Sequence, residues 1–287
     1  MRMFGAQSMT LPLRRVVVRR PDTAFAGADP STWHYTGRPE LAAAQREHDD
    51  FVRLLAAAGA EIIRHDAPAP GLADSIYVHD PVLITDRGAI LMRMGKALRR
   101  GEEEAIGRRL AAAGVPVHYR LHGDAIGEAG DCLWLDASTL AVGQGFRTNA
   151  AGLAQLREAL GPAIDVIPVQ LPYFTGPEAC LHLMSLISLV DEDLAVVYSS
   201  LMPVPFWELL DARGIRMLEV PEGEFATLGS NLLTLAPRHC LMLEGNPVTQ
   251  ARLVAAGCRV ETYSGREISL KAEGGPTCLT RPVLRGD

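Results

Sequence analysis

Helix-like segments rich in Ala, Leu and Arg end on a glycine five times along this chain, and a β-branched run follows each one. The glycines are Gly59, Gly114, Gly161, Gly214 and Gly257. Each stands where a helix needs a left-handed residue after its last turn. Apolar residues recur at intervals of three and four before the glycine, as in FVRLLAAAG, which predicts a helix with one face on a core. The pattern therefore predicts five helix–strand units.

Two further β-like runs joined by a turn lie between one unit and the next. Four such hairpins are predicted in SIYVHDPVLITDRGAILMRM, DCLWLDASTLAVGQGF, LHLMSLISLVDEDLAVVY and SNLLTLAPRHCLMLEG. A fifth hairpin begins in TCLTRPVL and lacks its second strand. The N-terminal strand Arg14–Pro21 can supply it, which would join the two chain ends.

The repeat predicts an α/β fold: a five-fold pseudosymmetric α/β propeller of ββαβ units, its ring closed by the N- and C-terminal strands. We assign residues 1–287 to this single domain. A ring is favoured over an open array because terminal half-units would otherwise expose unpaired strand edges. An ordinary α/β sheet with irregular crossovers is the alternative.

Composition narrows the function class without changing this fold. The 287 residues carry a formal net charge of −6, which argues against a nucleic-acid partner. No apolar run approaches the roughly 18 residues that span a bilayer, and the N-terminus shows no secretory signal pattern. The five cysteines include no CxxC pair, so we expect reduced thiols in a cytoplasmic protein without a membrane partner.

Chemically capable residues stand at the starts of the predicted hairpins, where a ring would bring them to one channel. They are Asp80, Glu128 with Asp131, His182, Asn231 and Cys278. A thiolate nucleophile needs a base or cation nearby, and an imidazole can serve. A carboxylate can orient a substrate and exchange protons. Taken singly, these residues have structural explanations: a buried thiol, a core histidine and turn carboxylates. Their equivalent positions predict one active site.

Two arginines extend this site. Arg99 and Arg147 lie close to the starts of the second and third predicted helices. A cation at a helix start is poorly placed for the helix dipole and so often has an anionic partner. The pair would suit a substrate carboxylate, although Arg93 and Arg100 are neighbours and solvated surface arginines are an equal alternative.

The motifs EGGPTCLTRP, GEAGD, LHLMSL, SIYVHDP and FRTN together resemble the guanidine-modifying superfamily of dimethylarginine dimethylaminohydrolases, arginine deiminases and amidinotransferases. They occur in the family's order and cover essentially the whole chain. The resemblance implies a five-fold propeller and a hydrolase of non-peptide C–N bonds in linear amidines, with no cofactor and no metal. It implies that Cys278 attacks the guanidinium carbon. His182 would protonate the leaving amine and then activate water, which hydrolyses a covalent thiouronium.

The same resemblance assigns substrate contacts. Glu128 and Asp80 match carboxylates that bind guanidinium nitrogens, and Asp74 matches a further acidic contact. Arg99 and Arg147 match the positions that hold the substrate carboxylate. Residues 28–40 fall where the dimethylarginine enzymes have a mobile lid.

Two departures bear on the substrate. Met184 stands where arginine deiminases and amidinotransferases have an aspartate two residues after the histidine, which favours an N-methylated guanidine. His79 replaces an acidic residue of the dimethylarginine enzymes, which weakens the case for a cationic substrate. We count both, with Asn231, among the substrate-binding candidates.

We therefore predict hydrolysis of N-methylated arginine, such as dimethylarginine, to citrulline and a methylamine. The alternatives are an arginine deiminase or a citrulline hydrolase using the same residues, and less favoured are an amidinotransferase and a non-catalytic binding propeller. The expected partner is a small arginine-like molecule, and a homodimer stays a hypothesis.

Overall fold

Five three-stranded sheets make up the computed structural model, which describes residues 2–286. The strands are β1 (Leu13–Val18), β2 (Glu61–Arg64), β3 (Val82–Thr85), β4 (Gly88–Leu91), β5 (Val117–Arg120), β6 (Cys132–Asp136), β7 (Thr139–Gln144), β8 (Asp165–Gln170), β9 (Ile187–Asp191), β10 (Leu194–Val197), β11 (Arg216–Glu219), β12 (Leu233–Ala236), β13 (His239–Leu243), β14 (Arg259–Tyr263) and β15 (Arg281–Arg285). The helices are α1 (Thr23–Ala26), α2 (Pro30–Trp33), α3 (Leu41–Ala57), α4 (Glu102–Ala112), α5 (Ala150–Leu160), α6 (Val204–Ala212), α7 (Glu222–Phe225) and α8 (Pro247–Ala255).

Each sheet repeats one unit. In the unit of β6, β7 and β8, an antiparallel hairpin is followed by α5 and then by a third strand that runs parallel to the second. The same order joins β3 to β5, β9 to β11 and β12 to β14. The predicted ββαβ repeat is therefore confirmed.

The two ends of the chain complete the fifth unit. Strand β1 pairs antiparallel with β15, with Leu13 opposite Arg285, and parallel with β2, with Val18 opposite Arg64. The N-terminal strand thus supplies the missing half of the last hairpin, as predicted. It spans Leu13–Val18 rather than Arg14–Pro21, because its pairing with β2 ends at Arg64.

Five apolar clusters, one between each pair of neighbouring sheets, show the five-fold arrangement. Successive side chains of a strand point to opposite faces, so each sheet contributes to two clusters. On β6, Cys132 and Trp134 pack toward the β3–β5 sheet, whereas Leu133 and Leu135 pack toward the β9–β11 sheet. Following the clusters from sheet to sheet returns to the starting sheet. Burial on both faces explains why these strands are continuous apolar runs.

The glycines that follow the helices have the conformation that the sequence pattern predicts. Gly59 has φ +93° and Gly257 has φ +84°, which side chains other than glycine rarely adopt. A Cβ at Gly59 would meet nothing within 4 Å. The backbone dihedral angle, and not a lack of space, therefore requires glycine there.

Hydrogen bonds connect the hairpin starts of neighbouring units at one end of the ring. Ala129 N donates to Asp80 O at 2.9 Å, and His79 N donates to Cys278 O at 3.3 Å. Leu183 N donates to Asp131 Oδ1 at 2.9 Å. These bonds bring residues that are far apart in sequence to one place. In residues 2–286, no helix is long and apolar enough to cross a membrane.

Candidate active site

A cavity at this end of the ring is lined by six of the ten residues to which the sequence assigns catalysis or substrate binding. These are Asp74, Asp80, Arg99, Arg147, His182 and Cys278. The other four, His79, Glu128, Met184 and Asn231, lie outside its lining. Their contacts, described below, show what each one does instead.

Cys278 is held at the cavity by a tightly packed loop. A Cβ at Gly274 would overlap the ring of Tyr77, and a Cβ at Gly275 would overlap Asn231. Asn231 Nδ2 donates to Cys278 Sγ at 3.5 Å, and its Oδ1 accepts from Thr277 N at 3.2 Å. Asn231 therefore positions the cysteine loop, whereas the sequence analysis counted it among the substrate contacts.

The thiol of Cys278 is a weak acid in the free protein. Burial and the nearby Asp80 carboxylate together raise its pKa to about 12, although His182 opposes the shift. The thiolate, not the thiol, is the nucleophile. A cationic group bound beside the sulfur would favour ionisation. A positively charged ligand would therefore favour the thiolate form of Cys278, the nucleophile that attacks it.

His182 and Glu128 form a buried pair. His182 Nε2 lies 2.7 Å from Glu128 Oε2. Burial alone would lower the pKa of His182, but Asp80, Cys180 and the bond to Glu128 raise it well above its usual value. The raised pKa favours the protonated imidazole, which can act as a general acid.

Glu128 has partners on both oxygens. Its Oε1 accepts from Gly95 N at 2.9 Å and from Lys96 N at 3.1 Å, and Arg147 Nη1 lies 3.5 Å from its Oε2. Burial would raise the pKa of Glu128, but His182 and Arg147 hold it well below its usual range. The carboxylate orients and charges His182. Glu128 lies outside the cavity lining, and its predicted contact with guanidinium nitrogens stays a prediction.

Asp80 presents one free oxygen. Its Oδ2 accepts from Arg99 Nη1 at 2.6 Å, whereas its buried Oδ1 has no hydrogen-bond partner among residues 2–286. A Cβ at Gly130 would lie 2.8 Å from that oxygen and 2.7 Å from His182 Nδ1. Glycine at this position lets the carboxylate and the imidazole approach each other. An unpaired buried carboxylate oxygen is costly, so Oδ1 is the acceptor that a ligand N–H would satisfy.

The two predicted arginines differ in availability. Arg99 donates to both oxygens of Glu102, to Asp80 Oδ2 and to Tyr77 O. It therefore holds Asp80 in place and has little capacity left for a substrate carboxylate. Within the described residues 2–286, Arg147 makes only long contacts, 3.4 Å to Ala179 O and 3.5 Å to Glu128. Arg147 is the better placed of the two to bind an anionic ligand.

Several cavity residues carried no distinctive sequence signal. Lys96 Nζ lies 2.7 Å from Asp74 Oδ2 and 4.8 Å from the ring centre of Trp33. Tyr35 Oη donates to Asp74 Oδ1 at 2.7 Å. Further lining residues are His34, Glu178, Cys180 and Glu273. One signal could have indicated Lys96: lysine occurs only at positions 96 and 271, in a chain with 28 basic residues.

The segment 28–40, predicted to be a lid, lies at the mouth of the cavity. It contributes Trp33 and His34 to the lining. His34 Nε2 lies 3.1 Å from a carboxylate oxygen of Glu178 on the opposite rim. Thr36 N donates to Lys271 O at 2.8 Å, which attaches the segment to the loop that precedes Cys278. Its position fits the predicted role, and its movement stays a prediction.

The two departures from the family pattern lie behind the site. His79 Nδ1 is 2.9 Å from Thr280 O, and its ring also contacts Arg281 Nη2. Burial and Arg281 hold the pKa of His79 well below its usual value, so the ring is neutral. Met184 is buried in the apolar cluster between two sheets. Neither side chain lines the cavity, because His79 packs on Thr280 and Arg281 and Met184 packs in the apolar cluster.

Three side chains of the site could together hold a metal ion. Asp80, Glu128 and His182 each offer one ligand atom, and these atoms lie within 4.8 Å of one another. However, Asp80 Oδ2 is bound by Arg99, and Glu128 is bound by His182 and two backbone N–H groups. These three side chains thus lie close together as parts of an acid–base network.

Most of this chain matches a known protein family. Residues 31–284 match the family described as N,N-dimethylarginine dimethylhydrolase, eukaryotic. The chain belongs to this family. Within it, the chain is 29% identical to the N(G),N(G)-dimethylarginine dimethylaminohydrolase of Streptomyces coelicolor, over 94% of this chain and 97% of that protein. It is 26% identical to the enzyme of the same name from Pseudomonas aeruginosa, over 93% of this chain and 98% of that protein.

Solved structures agree with the family assignment. The dimethylarginine dimethylaminohydrolase of Pseudomonas aeruginosa in complex with citrulline superposes with a TM-score of 0.78 at 25% identity, covering 94% of this chain and 98% of that one. The N-terminal domain of a cyanobacterial arginine dihydrolase shares the fold, with a TM-score of 0.81 at 20% identity over 95% of this chain and 98% of that one. The propeller and the family resemblance are confirmed. This dimethylarginine dimethylaminohydrolase family member is a hydrolase of C–N bonds in amidines.

Proposed function

We propose that this chain hydrolyses a C–N bond in the guanidine group of an arginine-like small molecule, with Cys278 as nucleophile and His182 as general acid and base. One observation carries the proposal: Asp80, whose Oδ1 has no hydrogen-bond partner among residues 2–286, lines the same cavity as Cys278 and as His182, which is paired with Glu128. A guanidinium offers N–H donors to that oxygen and a planar electrophilic carbon to the sulfur.

The first half-reaction follows from the charges of the site. A guanidinium bound to Asp80 would bring positive charge to the Cys278 thiol, whose pKa of about 12 keeps it protonated otherwise, and the thiol would then lose its proton to solvent. The thiolate sulfur forms a bond to the guanidinium carbon, and the C–N bond to the leaving amine breaks. Protonated His182 gives its proton to that amine. A covalent thiouronium remains on Cys278.

The second half-reaction uses His182 in the opposite direction. The neutral imidazole takes a proton from water, and the oxygen of that water bonds to the thiouronium carbon. The hydroxyl proton then passes to the sulfur as the C–S bond breaks, so Cys278 leaves as the thiol and a ureido product is released. Glu128 keeps the imidazole oriented for both transfers through its 2.7 Å bond.

N-methylated arginine is the first substrate candidate, with citrulline and a methylamine as products. Dimethylarginine enzymes match this chain almost from end to end. The arginine deiminase of Mycobacterium marinum is 32% identical, but over only 55% of this chain and 46% of that protein. Met184 and His79 lend no weight to either choice, because neither lines the cavity. Arginine and citrulline are therefore kept as alternatives.

A substrate panel tests the proposal. The purified protein is incubated with asymmetric dimethylarginine, monomethylarginine, arginine, agmatine and citrulline, and ureido product, methylamines, ammonia and ornithine are measured. We expect at least one guanidine to be hydrolysed and Cys278→Ser to abolish its turnover. If none is hydrolysed and a haloacetamidine probe also fails to modify Cys278 at neutral pH, the alternative of a non-catalytic binding propeller replaces this proposal.

A further inference from the structure

A buried ion pair between Lys96 and Asp74 lines the cavity that contains Cys278. Asp74 has both oxygens occupied, Oδ1 by the hydroxyl of Tyr35 and Oδ2 by Lys96 Nζ, each at 2.7 Å. The side chains of Lys96 and Asp74 are only 15% and 7% exposed. All three residues are shielded from solvent by the segment that contains Trp33, whose carbonyl oxygen is 3.1 Å from Nζ.

This pair removes a binding site for an ammonium group. The two buried carboxylates that line the cavity are Asp80, which faces the reacting end, and Asp74. Asp74 would be a natural partner for a ligand ammonium, but Lys96 already neutralises it from within the chain. An incoming ammonium would have to displace Lys96 and leave its charge buried without a partner, which is strongly unfavourable.

The same arrangement leaves cationic groups for a carboxylate. A lysine ammonium carries three N–H donors, and Lys96 uses two of them, on Asp74 and on Trp33 O. Arg147 makes only the long contacts described above. Two further acids line the cavity, Glu178 and Glu273, and both residues are exposed; the Glu178 side chain is 78% exposed and pairs with His34. An ammonium held there would be screened by solvent and weakly bound.

We propose that Lys96 is a specificity-determining residue: by occupying Asp74 it selects against a substrate α-ammonium, so that the preferred substrates are ω-guanidino carboxylic acids without one. This inference rests on the proposed function, since it concerns the tail of a guanidine that Cys278 attacks. It is independent of whether the guanidine carries N-methyl groups. The juxtaposition of Lys96, Asp74 and Tyr35 carries it.

Matched substrate pairs isolate the α-ammonium. Arginine and 5-guanidinopentanoate differ only in that group, as do dimethylarginine and its des-amino analogue. For the wild-type protein we expect kcat/KM to be at least about tenfold higher for the des-amino member of the pair that is turned over, because the α-ammonium finds no free buried carboxylate. Equal values, or a preference for the amino acid, would overturn the inference.

Variants at the ion pair give a second test. Lys96→Met frees Asp74, so the preference should fall by about tenfold or more, mainly through a lower KM for the amino acid. Lys96→Arg keeps a cation on Asp74 and should retain the wild-type preference. In the double variant Lys96→Met with Asp74→Asn the gain for the amino acid should disappear. An unchanged preference in Lys96→Met contradicts the role given to Lys96.

The controls separate this inference from the proposed function. Modification of Cys278 by a haloacetamidine reports a reactive site whatever the tail of the substrate is. If neither member of any pair is hydrolysed and Cys278 is not modified, the proposed function fails. If the pairs are hydrolysed without discrimination in the wild type and in Lys96→Met, the inference alone fails.

Discussion

Replacing Glu128 with glutamine tests how His182 obtains its proton. The amide is nearly isosteric with the carboxylate, so its oxygen can still accept from Gly95 N and Lys96 N, the bonds now made by Oε1. The NH₂ group then takes the place of Oε2, 2.7 Å from His182 Nε2. Because an amide N–H donates, it stabilises an unprotonated Nε2 and not an imidazolium.

The size of the effect follows from the interaction that is lost. A hydrogen bond to a charged group is worth about 1.5–3 kcal/mol, and one pKa unit corresponds to about 1.4 kcal/mol. The pKa of His182 should therefore fall by at least about one to two units. Burial, which already opposes its charge, would then act with less opposition. Loss of a general acid typically costs about 10²–10⁴ in rate, so we expect a decrease of that order in kcat at neutral pH.

The assay is the pH dependence of kcat for Glu128→Gln and wild type with the best substrate of the panel, together with the NMR titration of the His182 ring. Modification of Cys278 by a haloacetamidine checks that the site is intact. We expect the limb that reports a protonated group to move to lower pH. Activity within threefold of wild type, with an unchanged profile and His182 pKa, would refute the role given to Glu128.

Three further predictions concern the nucleophile, its loop and the core. Neutral iodoacetamide should modify Cys278 slowly at pH 7 and faster as pH rises, since burial holds its pKa at about 12; rapid modification that is flat above pH 6 would contradict this, as measured by mass spectrometry. Gly274→Ala should lower kcat by at least about tenfold, because the new Cβ would overlap Tyr77 and displace the cysteine loop. The reactivity of the buried Cys132 and the circular dichroism spectrum should change little, and wild-type kinetics would show that the loop adapts. His48 is buried with its pKa lowered from 6.5 to about 4, so the unfolded state binds more protons between these values and stability should fall as pH drops from about 6.5 toward 4, by up to about 3 kcal/mol. Urea unfolding at pH 7 and pH 4.5 measures this, and an equal pH dependence in His48→Leu would exclude His48 as a source.

The fold was predictable because the sequence repeats one pattern of helix, glycine and strand five times. Both faces of each sheet are buried, so the strands are apolar runs, and each helix ends on a glycine such as Gly59 with a positive φ. The closure of the ring was also predictable, since the unpaired half-hairpin at the C-terminus needed a strand that Arg14–Pro21 could supply. Only the strand limits differ, because pairing partners and not propensity decide where a strand ends.

The membership of the site was predictable in part, and the roles less so. Equivalent hairpin starts brought Cys278, His182 and Asp80 into one cavity region. The sequence could not show that Glu102 saturates Arg99, because that contact depends on the orientation of two buried side chains. Nor could it show that Lys96 reaches Asp74, because the spacing of these two residues does not predict that the chain folds back to bring them together.

The interpretation of His79 and Met184 illustrates the same limit. Both were singled out because they differ from related sequences beside site residues. His79 lies in the turn before β3, and its ring packs on Thr280 and Arg281 outside the cavity lining. Neighbours in sequence therefore say little about the substrate until the side-chain directions are known.

The most direct test of the account is the detection of a covalent intermediate on Cys278. The protein is mixed with the best guanidine of the panel, quenched with acid during turnover, and analysed by intact-mass and peptide mass spectrometry. We predict a mass increase equal to the substrate without its leaving amine, located on the peptide that contains Cys278 and absent from Cys278→Ser. Formation of ureido product by Cys278→Ser at a rate close to that of the wild type would contradict the central claim.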